Sequence, residues 1–236
     1  MGPLRRATAE FIGTALLLIA VVGSGIAAQR LSPHDTGIEL LENALATGAA
    51  LVAIILAVGS VSGAHLNPAV SVVDAIFGGL RWRELGAYLA AQVSGAVVGV
   101  MLANLMFSLP AVSISEHARS SSNLWLGEVV ATFGLLLVVF GVVRSGRTAT
   151  VPFAVGAYIT GAYWFTSSTS FANPAVTVGR MFSNTFAGIA PASVAAFVAA
   201  QLVGAAVAVG TIRLLWPDIA AVAGMAVVPH DSNEVA

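Results

Sequence analysis

The sequence contains no cysteine and very little charge: Asp, Glu, Lys and Arg together make up 9% of its 236 residues and nearly cancel, to a formal net charge of -1. Without a thiol there is no disulfide framework, no thiolate zinc site and no cysteine nucleophile. A charge balance this close to neutral gives no hint of a nucleic-acid partner, and none is expected. No phosphate-binding loop, activated nucleophile or cluster of metal-ligating side chains occurs, so an enzyme, a metal centre and a bound cofactor are not expected. His34, His117 and His230 fall in loops or in the tail, without metal-ligand spacing.

What the chain has instead is apolar length, with 58% of its residues hydrophobic, far outside the soluble globular range. Crossing about 30 Å of hydrocarbon at 1.5 Å per residue takes roughly 20 apolar residues. Such windows centre on residues 8–29, 40–60, 84–108, 123–143, 151–168 and 190–215. The first follows Arg5 and Arg6 like a secretory signal, but it is too long and further spans follow, so it reads as a retained helix. Arg5, Arg6, Arg81, Arg83, Arg144, Arg147 and Arg213 fall on one side of this arrangement, and Arg30, Arg119 and Arg180 on the other. The excess of positive charge predicts that both termini are cytoplasmic, and the expected location is the cell (inner) membrane, which the chain crosses several times.

Two apolar stretches of half that length are left over, and each begins with the same tripeptide: Asn67-Pro68-Ala69 and Asn173-Pro174-Ala175. Other elements recur with them. AEFIGT around Glu10 matches GEVVAT around Glu128, and AAQVSGA around Gln92 matches AAQLVGA around Gln201. With an odd number of spans per half, the second half enters the membrane from the opposite face. The pattern is an inverted repeat, 8–108 and 123–215, joined by an extracellular loop 109–122 and followed by a cytoplasmic tail 217–236.

Backbone inside a membrane must find hydrogen-bond partners, so a half-span is tolerated only where protein buries it or where it lines a watery cavity. Proline suits the first turn of a helix and asparagine the cap before it. Each motif therefore starts a short helix. Inverted topology points both N-termini at one midplane position, where their dipoles and the amides of Asn67 and Asn173 meet whatever passes. The segments before them, 63–66 and 169–172, would supply carbonyl acceptors. Donors at the centre with acceptors along one wall suit water and small polyols and repel cations.

SGAHLNPAV, the second NPAV and the paired glutamates and glutamines resemble the aquaporin and glycerol-facilitator family from about Glu10 to Leu215. The resemblance implies an all-α membrane fold of six tilted transmembrane helices plus two re-entrant half-helices. It also implies a homotetramer with one pore per protomer in the lipid bilayer, and passage of small neutral solutes. The family's spacing places the filter at Thr47, Gly161, Ser170 and Val176. Most members carry arginine where this chain has Val176, and the usual pore cysteine is Ser170. Three small residues and a valine imply a wide, weakly polar mouth, similar to that of a bacterial subgroup associated with arsenic handling. The expected cargo then extends from water and glycerol to neutral trihydroxides such as arsenous acid, and to methylated arsenicals.

Other polar residues carry two readings each. Arg180, four residues after Val176, either reaches back over the outer mouth as a replacement positive barrier or snorkels to the surface to pair with Glu116 or lipid phosphate. Glu10 and Glu128 either accept hydrogen bonds from the re-entrant backbone or relay protons in an ion-coupled secondary transporter, the alternative to a passive channel. Gln92 and Gln201 are read as buried helix-packing groups. His65 either braces its loop or senses pH on the cytoplasmic half of the pore. Gly95, Gly99 and Gly204 are expected where helices touch.

Overall fold

The computed structural model describes residues 2–221, and the expected tail lies outside the described residues from 222 onward, His230 included. The regular structure of the described residues is all helical, with no strand among them: α1 (Pro3–Leu31), α2 (Thr36–Ser62), α3 (Pro68–Phe77), α4 (Trp82–Met106), α5 (Ser122–Arg144), α6 (Val151–Phe165), α7 (Pro174–Arg180) and α8 (Pro191–Leu215). Local chemistry sets many of the ends. The Asp35 side chain caps α2 by accepting from the Ile38 N–H at 3.0 Å, proline occupies the first turns of α1, α3, α6, α7 and α8, and α3 stops at Gly78, which takes the left-handed backbone (φ 89°) that a side chain would resist.

Five of these helices are long and apolar enough to cross a membrane. The exception among the expected spans is α6, whose 15 residues follow a single 3-10 turn at Thr148–Thr150. It ends at Phe165, where the chain gives way to an irregular segment leading to α7.

The two halves repeat in space as they do in sequence. Helix α1 packs chiefly on α4 and α2, while α5 packs chiefly on α8 and α6. Helices α2 and α6 face each other across the halves, and the short helices reach across too: α7 lies against α4, and α3 against α8. The main core is an apolar cluster running from Leu17 and Leu18 on α1 through Leu136 and Phe140 on α5 to Ile212 on α8, with smaller clusters around Tyr88 and around Phe197. The periphery is apolar as well, with Leu16, Leu45, Leu56, Phe153, Leu202 and Val207 all exposed. A surface of this kind is stable against hydrocarbon rather than water.

At one end of the bundle Arg6 donates to Glu84 at 2.8 Å with both side chains buried, and Arg81 pairs with the same carboxylate. Arg144 is bonded at that helix end to Asp218. Three of the arginines assigned to the cytoplasmic side are thus anchored by carboxylates at helix termini rather than left free.

Candidate functional site

Two short irregular segments converge at the middle of the bundle, and their backbone repeats residue for residue. Gly63, Ala64 and Leu66 have φ of 88°, 49° and 52°; Thr169, Ser170 and Ala172, displaced by the offset that separates the two asparagines, have 61°, 50° and 50°. Five of these six are not glycine, and left-handed backbone costs a residue with a side chain roughly 1–2 kcal/mol. Such strain persists only where the surroundings over-determine it, and here they do.

In the first half the Glu10 carboxylate accepts four hydrogen bonds: the backbone N–H of His65 (2.9 Å) and Leu66 (2.7 Å), the Ser62 hydroxyl (2.6 Å) and the Gln92 amide (2.8 Å). In the second, Glu128 accepts from the N–H of Phe171 (2.8 Å) and Ala172 (2.9 Å) and from the Gln201 amide (2.6 Å). Each glutamine also donates to a hydroxyl four residues after its asparagine, Gln92 to Ser71 at 2.9 Å and Gln201 to Thr177 at 2.8 Å. Ser62 and Ser168 complete the symmetry by accepting from Ala64 N–H and Ser170 N–H. Both carboxylates are fully buried, and neither lines the cavity described below. A relay group needs a route to the permeating species; these oxygens are spent on backbone.

What the braces position is the asparagine pair. Each Oδ1 caps its own helix, Asn67 accepting from Ala69 N–H (2.9 Å) and Asn173 from Ala175 N–H (2.9 Å) and Val176 N–H (3.2 Å). Each Nδ2 crosses to the other half: Asn67 donates to the Ala172 carbonyl at 2.8 Å, and Asn173 to the Leu66 carbonyl at 2.7 Å. An amide nitrogen has two hydrogens. One fixes the halves to each other, and the second remains for the cavity that both asparagines line.

That cavity, about 80 Å³, exceeds the ~10–15 Å³ that one water molecule needs. Its walls are mostly aliphatic, with Leu51 and Ile55 from α2, Leu135 and Val139 from α5, and Val155 and Ile159 from α6. The polar contributions come from Thr47, Asn67, Tyr163, Ser170, Asn173 and Arg180, with the 63–66 segment along one side. Apolar walls carrying a few placed polar groups let a small solute shed water without binding too tightly to leave.

A model described as Major intrinsic protein matches residues 1–170. The chain is 51% identical to the aquaglyceroporin AqpS of Rhizobium meliloti (strain 1021) over 211 residues, which cover 89% of this chain and 90% of that protein. The chain belongs to the major intrinsic protein family. It is also 30% identical to the rice aquaporin NIP3-1 over 94% of its own length and 67% of the relative's. The fold matches that of the solved aquaglyceroporin from Plasmodium falciparum at a TM-score of 0.73 and 22% identity, covering 92% of this chain and 99% of that one. The family model stops short of the second asparagine motif. The brace around that motif nevertheless reproduces the one around the first.

Within this family the filter positions named from sequence spacing divide. Thr47, Ser170 and Val176 line the cavity, but Gly161 does not. A side chain built on Gly161 would point at the Phe165 ring 3.6 Å away. The residue of α6 that enters the cavity is Tyr163, whose hydroxyl lies 3.2 Å from the Thr47 hydroxyl. The mouth is therefore not ringed by small residues alone. The missed signal was a spacing of four on α6, Val155, Ile159 and Tyr163, which puts all three on one helical face.

Arg180 is 2% exposed, lines the cavity, donates through Nε to the Ala187 carbonyl and places its guanidinium 3.5 Å from the centroid of the Phe171 ring. It makes no ion pair with Glu116 and is no surface arginine. The His65 backbone borders the cavity, but its imidazole is fully buried, with Nδ1 2.9 Å from the Ser71 hydroxyl and Nε2 3.4 Å from the Asp74 carboxylate. Asp74, the repeat counterpart of Arg180, is likewise sealed inside the protein.

Proposed function

We propose that the protein is a passive channel for small neutral solutes, water and glycerol-sized polyols first, with arsenous acid and methylated arsenicals as further cargo of the same hydrogen-bonding kind. The observation that carries this reading is the asparagine pair: two amides fixed by each other's half at one point of a mostly aliphatic cavity that no carboxylate among the described residues lines. Such a site offers a neutral oxygen compound donors in place of lost water, while a cation meets only more donors. Residues 8–108 and 123–215 are read as the two inverted repeats of one channel domain. Both termini are placed on the cytoplasmic side of the cell membrane, and four copies assemble as in the family at large.

Liposomes reconstituted with the purified protein should shrink and reswell in stopped-flow scattering at rates well above empty vesicles in both water and glycerol, and should take up arsenous acid. Uptake should equilibrate and continue when proton and sodium gradients are collapsed. Accumulation against a gradient would instead establish the coupled transporter, and water flux with no glycerol or arsenous acid entry would remove the wider solute range.

The side chain at 176 faces the cavity one turn before Arg180, so Val176→Arg adds bulk and a second cation to the mouth. Glycerol permeability is expected to fall by roughly tenfold, equivalent to ~1.4 kcal/mol of added barrier, with water affected less. The ratio of the two fluxes in the same vesicles checks it.

A further inference from the structure

One arginine lines the cavity, and no carboxylate among the described residues neutralises it. Arg180 is at the last turn of α7, and among the described residues no carboxylate lies within ion-pair distance of its guanidinium. Nε is bonded to the Ala187 carbonyl, whereas the two Nη groups make no hydrogen bond to described residues and are not sealed off from the cavity that the side chain lines. Burying a cation without a partner is costly, and an unpaired one within a membrane protein points to a role on the permeation path.

The surroundings hold this charge in place without cancelling it. The Phe171 ring lies against the guanidinium at 3.5 Å, a cation–π contact that fixes its plane. The same ring carries Arg119 at 5.0 Å, and Arg119 is itself tied to the Gly188 carbonyl at 3.0 Å. The adjoining loop histidine, His117, is pushed below its ordinary pKa by burial and then by the charges of Arg119 and Arg180. At the corresponding point of the other half, Asp74 is withdrawn from the cavity and faces His65. Only one half of the repeat therefore presents charge to the solute, and that charge is positive.

We propose that Arg180 is the charge-selective residue of this pore: its Nη groups donate to the oxygen of a passing neutral solute, and its uncompensated charge turns back protons and metal cations. The proposal rests on the channel reading above. Val176, one turn earlier, has no charge to contribute. Tyr163 and Thr47, hydrogen-bonded to each other, line the same cavity and supply hydroxyls to the same solute.

The test is the cation leak of each variant relative to its own water flux in liposomes, using a pH-sensitive dye for protons and a sodium-sensitive dye for sodium. Arg180→Met should raise the leak per unit water flux about tenfold or more, the factor that ~1.4 kcal/mol of barrier supplies. Arg180→Lys, which keeps the charge, should stay near wild type. Should Arg180→Met not be recovered as intact protein, Arg180→Gln, able to preserve the donor to Ala187, is read in its place. Unchanged leak in the neutral variants overturns the proposal and leaves the channel reading standing. Equal leak in the lysine and methionine variants also overturns it, assigning the effect to packing on Phe171. A wild type that passes neither water nor glycerol refutes the channel reading itself, and this proposal with it.

Discussion

Glu128→Ala is expected to abolish recovery of a single folded species in detergent, and Glu10→Ala to do the same. Each carboxylate is the sole side-chain acceptor for two consecutive backbone N–H groups of a re-entrant segment, His65 and Leu66 in one half and Phe171 and Ala172 in the other. A buried donor left without a partner costs about 1–3 kcal/mol. Glu128 serves three donors and Glu10 four, so the alanine variants lose on the order of several kcal/mol, a large part of a typical folding free energy of about 5–15 kcal/mol. The loss also releases the left-handed residues, whose unfavourable backbone was held by those bonds. Glu→Gln keeps one acceptor oxygen and should be milder at either site. Thermal unfolding with size-exclusion chromatography reads the order wild type, Gln, Ala. Alanine variants that melt within a few degrees of wild type would show that the re-entrant backbone is held by something else. A proton-relay role makes a separate claim, predicting folded Gln variants that lose transport outright.

The braces were legible in the sequence because polar residues stand out in an apolar background. Glu10, Glu128, Gln92 and Gln201 recur at matching places, and a buried carboxylate in a membrane must have donors. The two Asn-Pro-Ala caps were legible for the same reason, since proline and asparagine have few other uses inside a span. The hydroxyls that finish each brace were not anticipated, although Ser71 and Thr177 each stand four residues after their asparagine. Gly161 shows where counting fails. Spacing along the chain fixes a distance but not a helical face, and the segment joining α6 to α7 turns through three left-handed residues before the motif begins. Tyr163 rather than Gly161 enters the cavity, on the face of α6 that it shares with Val155 and Ile159. The position of Arg180 was open for a different reason. Whether a long side chain snorkels outward or lies on a ring depends on a partner, Phe171, that sequence spacing gives no reason to single out.

Gly204→Ala and Gly95→Ala should destabilise the protein as strongly as a buried cavity would, although each adds only a methyl group. A Cβ on Gly204 would lie 2.5 Å from the Val129 carbonyl oxygen of α5, and one on Gly95 would lie closer still to the Phe11 carbonyl of α1. Both obstacles are backbone of a packed helix, which cannot rotate away as a side chain can, so the helices must separate. Each separation would pull Gln201 or Gln92, one turn earlier on the same helix, away from the Glu128 or Glu10 it bonds. Overpacking of this kind costs about 1–3 kcal/mol, and the loss of the glutamine bond adds to it. Gly86, on α4 like Gly95, has nothing within 4 Å of its virtual Cβ. Gly86→Ala should be neutral or stabilising by up to about 1 kcal/mol, since alanine is the better helix former. Melting temperatures of the three variants in one detergent decide the point. If Gly86→Ala and Gly95→Ala shift the melting temperature alike, close approach of the α1 and α4 backbones is not what the glycine provides. If only Gly95→Ala and Gly204→Ala fall, then the two halves share one packing device, and it is the contact that keeps each glutamine on its glutamate and each asparagine at the centre of the pore.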